Sequence, residues 1–108
     1  MITSSTGATL INSTLYGNEV PTDMKGSNLR ISNDSTGNKI VNSIIWGGIG
    51  PTTYNVTNSA TSTVDISYST IQDIDDLTGV TLNNVIYDDP SFVNAGAGDF
   101  HLNAGSPC

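Results

Sequence analysis

A chain of 108 residues has room for one domain. Ten acidic residues against only Lys25, Arg30 and Lys39 leave a net charge of -7, which supplies no basic patch for a nucleic-acid backbone. Cys108 is the single cysteine, so an internal disulfide and a cysteine-based zinc site are excluded, and no apolar run is long enough to span a bilayer.

Charged residues are 12% of the chain, while Ile, Val and Thr are plentiful. The abundant Asn, Ser and Thr therefore read as polar faces of β structure rather than as disorder. The start, Met1-Ile2-Thr3-Ser4-Ser5, has neither the charged nor the apolar region of a signal peptide. No apolar 3.6-residue period persists for a helix, because Gly, Asn and Pro interrupt each candidate.

Taken in order, the chain repeats itself. Thr9 to Asn18 aligns with Lys39 to Gly48, matching Leu10 to Ile40, Asn12 to Asn42, Ser13 to Ser43, Leu15 to Ile45 and Tyr16 to Trp46. Asp65 to Gln72 is a third copy with Tyr68 at the Asn position, and Thr81 to Tyr87 is a fourth that fits with either Asn83 or Asn84 there. Copies recur about 30, 26 and 15 residues apart, the spacing of stacked repeats.

Each copy has an apolar residue two before the Asn and another three after it. One straight strand cannot turn both to the same face. A bend at the Asn, which tolerates a left-handed backbone, puts Leu10, Ser13 and Leu15 inside and Ile11 and Thr14 outside. Asn12 and Asn42 then form a hydrogen-bonded ladder between coils, which Tyr68 cannot join. Asn28 to Ile31, Thr53 to Val56 and Ser62 to Val64 are further strand candidates, and Glu19 to Gly26 and Gly47 to Thr52 read as projecting loops. About four coils at roughly 4.8 Å each make a stack about 20 Å tall.

The repeated hydrophobic-x-Asn-Ser-x-Ile-Trp/Tyr-Gly unit resembles the coils of the right-handed, single-stranded parallel β-helix of the pectin-lyase-like class. Asp89-Pro90-Ser91-Phe92-Val93-Asn94-Ala95, Gly98-Asp99-Phe100-His101-Leu102 and Ala104-Gly105-Ser106-Pro107 resemble the end of "choice-of-anchor Q" domains. That resemblance implies an all-β solenoid of coils over residues 1–88, a closing segment of the same domain over 89–108, and a place outside a bacterial cell or on its surface. The family runs on past Ser-Pro with a small residue and Ile-Asp, and this array starts without a cap. The expectation is a fragment whose partner is the rest of a longer polypeptide, or a subunit stacking on copies of itself.

The chemistry-bearing residues are few. His101, the single histidine, alternates with Phe100 and Leu102 and reads as a surface residue, with no partner that would make it a base. Asp73, Asp75 and Asp76 form a cluster that could hold calcium, but they lack the glycine and closing glutamate of a calcium loop. With Asp88 and Asp89, they read first as turns or solvated loops. Lyases on this fold combine calcium-binding acids with basic residues, and no such grouping recurs at coil spacing. Three glycosylation patterns, at Asn12, Asn33 and Asn55, are expected by chance in so Asn-, Ser- and Thr-rich a chain. Tyr16 and Trp46, outward and one coil apart, can form a platform for sugar rings or instead cover a flank beneath a loop.

The leading expectation is a non-catalytic segment of a surface scaffold or adhesin-like protein that touches polysaccharide. The alternatives are the C-terminal part of a carbohydrate-active enzyme with its catalytic coils upstream, and a self-stacking fibre subunit.

Overall fold

A computed structural model describes residues 1–21, 24–50 and 54–108. Three short strands per rung build it: β1 (Ile2–Thr3), β2 (Thr9–Ile11) and β3 (Thr14–Tyr16) in the first, then β4 (Leu29–Ser32), β5 (Asn38–Val41) and β6 (Ile44–Trp46) in the second. The third rung holds β7 (Val56–Asn58), β8 (Val64–Ser67) and β9 (Thr70–Ile71). The fourth is reduced to β10 (Val80–Asn83), with single parallel bridges from Ile74 to Val56 and from Ile86 to Thr70.

Equivalent strands pair in parallel from rung to rung, giving sheets β1-β4-β7, β2-β5-β8-β10 and β3-β6-β9. Parallel pairing needs a long crossover between neighbouring strands, and here the rest of each rung is that crossover. Among the described residues the fold is thus all-β, with one short 3-10 turn at Ala95–Ala97, and its stacked parallel sheets are compatible with a β-helix.

The register follows the sequence repeat. Leu10 pairs Ile40, Ile40 pairs Ile66 and Leu82 pairs Ile66, while Leu15, Ile45 and Ile71 form a second column. Pairing of Asn83 with Ser67 puts Asn84 level with Tyr68, which settles the open choice in favour of Asn84. The bends are where the parity argument needs them, since Asn12, Asn42, Tyr68 and Asn84 all have positive φ, between 49° and 52°.

The three parallel sheets share one core. Leu29, Ile31 and Val56 meet Ile40, Val64 and Ile66 from the second sheet and Ile45 and Ile71 from the third in a single buried cluster. Each such Ile contributes about 1.5–3 kcal/mol on burial. Strand candidates between copies fare unevenly. The one at Asn28 is β4, but of the one expected from Thr53 to Val56 only Val56 belongs to a described strand, and the Tyr54 and Asn55 carbonyls accept from the Gly26 to Leu29 N–H groups of the preceding rung. Thr53 and Pro51, like Thr22 and Asp23 of the first expected loop, lie outside the described residues.

The last segment leaves the stack. Asp89 accepts the Ser91 N–H at 2.8 Å, Pro90 is buried, and β11 (Phe92–Asn94) and β12 (Asp99–Leu102) form an antiparallel hairpin. Ser106 donates to Pro90 O at 2.7 Å, tying the chain end back to the start of the hairpin.

Candidate functional site

The polar side chains inside the repeat hold rungs together. Asn42 donates Nδ2 to Asn12 Oδ1 at 2.7 Å, and the ladder stops at Tyr68 as its side chain dictates. Beside it runs a serine column. Ser13, Ser43 and Ser69 each donate a hydroxyl to the carbonyl two residues back, while Ser43 Oγ accepts the Ser13 N–H and Ser69 Oγ the Ser43 N–H. A second serine column stands at another corner, where Ser35 Oγ accepts the Ser5 N–H and Ser62 Oγ the Ser35 N–H. At the third corner Asn18 donates to Asn28, Asn28 to Asn55 and Asn55 to Gln72. These bonds satisfy bend and corner groups that strand pairing leaves over.

The aspartates do not act together. Asp73 accepts from the backbone and side-chain nitrogens of Asn55, Asp75 pairs with Lys25 at 2.9 Å, and Asp76 accepts the Thr78 N–H at 2.8 Å. Among the described residues no group of three or more His, Cys, Asp and Glu is placed to hold a metal ion. Asp76 is held below the ordinary carboxylate range, chiefly by the Thr78 backbone N–H. His101 sits on the exposed hairpin with Nδ1 2.6 Å from Asp99 Oδ1, a contact that lowers the Asp99 pKa. Lys25 is raised by its hydrogen bond to Asp75 and then by that residue's charge.

Tyr16 and Trp46 are registered neighbours on β3 and β6, and both are half-buried. Tyr16 is occupied: its ring centroid is 5.6 Å from Phe92 and 5.4 Å from Phe100, in edge-on and tilted contacts. The ring also lies across Gly47, where a Cβ would stand 2.6 Å from Cε2. The hairpin thus covers Tyr16, whereas its two phenylalanine rings make no ring contact with Trp46 among the described residues.

Sequence reasoning missed a groove of about 780 Å³ along the bend column, bounded by Asn12, Asn42, Tyr68 and Asn84 and overhung by Leu102 and Cys108. Cys108 Sγ reaches Thr70 Oγ1 at 3.0 Å. Thr70 faces outward yet is buried, because the chain end lies on it. The bend residues were visible in the repeat, but the overhang depends on where the hairpin docks. No protein-family model, curated protein or solved structure matches this chain.

Proposed function

We propose that this chain is a non-catalytic scaffold module of an extracellular or cell-surface protein. In this reading the stacked sheets close into a right-handed parallel β-helix of the pectin-lyase-like kind, and residues 89–108 are its choice-of-anchor Q-like closing segment. The observation that carries it is the use to which polar groups are put. Asn, Ser and Asp side chains that could serve chemistry are bonded into the columns between rungs or into turns.

Glycan contact is assigned to Trp46 and to the amide-lined groove with its exposed Tyr68. Amides and an aromatic ring together suit the hydroxyls and apolar faces of sugars. A glycan array comparing the parent with Trp46→Ala and Tyr68→Ala tests the assignment. Binding lost in either variant supports it, and binding retained in both removes glycan contact from these residues.

A further inference from the structure

Among the described residues the stack presents an unpaired sheet edge at each end. At the first rung, β1, β2 and β3 are terminal strands of their sheets, and at the fourth rung β10 is. Leu82 stands in the inward column beneath Ile66, yet it is 38% exposed where Ile66 is 1%. Ile2, Leu10 and Leu15 at the other end are likewise only partly buried against the core. Neither β2 (Thr-Leu-Ile) nor β10 (Val-Thr-Leu-Asn) carries a charge or a proline, the devices that usually block an edge. The hairpin packs on the flank at Tyr16 of the first rung, and the chain beyond it reaches Thr70 of the third, at the side of the groove that Asn84 and Val85 also line.

The ladders have a direction, and it makes the two ends complementary. In the Asn ladder the later rung donates to the earlier, Asn42 to Asn12. Asn12 therefore keeps an Nδ2 without a partner among the described residues, and Asn84 at the far end offers an Oδ1 in the same column. In the serine column the earlier rung's N–H donates to the later hydroxyl, Ser13 to Ser43 and Ser43 to Ser69. Ser13 Oγ thus has an acceptor position left, while Val85 follows the Asn84 bend as Ser13 follows Asn12 and presents a backbone N–H. At the other serine corner Asp76 already takes the Thr78 N–H, so that column is not continued.

We infer that the fourth rung of one molecule receives the first rung of a second copy. Leu10 of the second copy stacks on Leu82, Asn12 donates to Asn84, and Ser13 accepts from Val85. Such a head-to-tail contact does not close on itself, so it builds filaments. The inference needs only the ends of the stack and not the glycan assignment.

Sedimentation velocity of the 108-residue chain over a concentration series tests it. The expected result is a mass and a frictional ratio that rise together with concentration. Asn12→Asp keeps an oxygen for Asn42 but turns a carboxylate on Asn84, and it is expected to weaken association about tenfold or more. Leu82→Lys puts a charge into the other end and is expected to abolish it. Each variant keeps one intact end, so mixing the two is expected to give dimers as the main associated species. Thermal melts establish that each variant is folded, and if Leu82→Lys is not, Asn12→Asp decides alone. A compact monomer at every concentration, or association that a folded Asn12→Asp leaves unchanged, overturns the inference.

Discussion

Asn42 gives its Nδ2 to Asn12 Oδ1 across 2.7 Å, and the two residues share a left-handed backbone at φ 49° and 51°. One residue type thus answers two needs of the bend. Asn42→Gly removes the amide but suits the backbone, and is expected to cost about 1 kcal/mol. Asn42→Ala also leaves a Cβ in the left-handed region without the polar side chain that makes asparagine tolerant there, adding about 1–2 kcal/mol. Urea denaturation is expected to rank glycine above alanine, the reverse of their order in a helix. Equal losses would mean that the backbone at this bend relaxes.

Tyr68 holds φ 49° in the same column, level with Asn84 below and Asn42 above. Tyr68→Asn is expected to stabilise the chain by about 1–2 kcal/mol, because Asn adopts this backbone more readily and joins the two separated amides. A shift of the urea midpoint to higher concentration, with unchanged slope, is the expected reading.

Much of this was legible in the sequence. The inward and outward faces of Leu10 to Leu15 follow from the two-residue strand period once Asn12 is allowed to bend, and the structure keeps Ile40, Ser43 and Ile45 buried in the second copy. The serine column was half visible, as Ser13, Ser43 and Ser69 recur at one place, but their N–H partners depend on the direction of the stagger between rungs. The cover over Tyr16 was not legible, since Phe92 and Phe100 reach it by the docking of a distant hairpin. Nor was the fate of Asp73, Asp75 and Asp76: nearness along the chain suggested a cluster, and turns send each to a separate partner.

Gly48 sits where a Cβ would come within 1.8 Å of Ser27 Oγ and 2.7 Å of Asn55 Oδ1. Gly48→Ala is expected to cost about 2–3 kcal/mol through overpacking at the amide column. Gly96→Ala is the control, since its nearest neighbour is Asn94 Oδ1 at 3.9 Å, and it is expected to be near neutral in the same denaturation assay.

Stability is expected to plateau across neutral pH and to fall at both extremes. Asp76 and Asp99 have folded values below the ordinary 3.8, so their contribution is present above 3.8 and disappears as pH falls through the lowered values. Lys25 is raised above 10.5, so its contribution is present below 10.5 and disappears as pH rises through the raised value. All three groups lie at the surface, Lys25 exposed and Asp76 and Asp99 half-buried, and solvent keeps the effects small. Asp76→Asn retains an oxygen for the Thr78 N–H, and is expected to flatten part of the acid limb in melts taken across pH.

Residue-resolved amide hydrogen exchange on the intact chain, at a concentration low enough to keep it monomeric, tests the stacked scaffold most directly. Protection is expected to be highest in the middle rungs, at Ile40, Ile66 and the Ser43 N–H that enters the serine column, and to decline toward β1 and β10. Fast exchange at Ile40 and Ser43, or protection confined to the hairpin over Phe92 to Leu102, would contradict it.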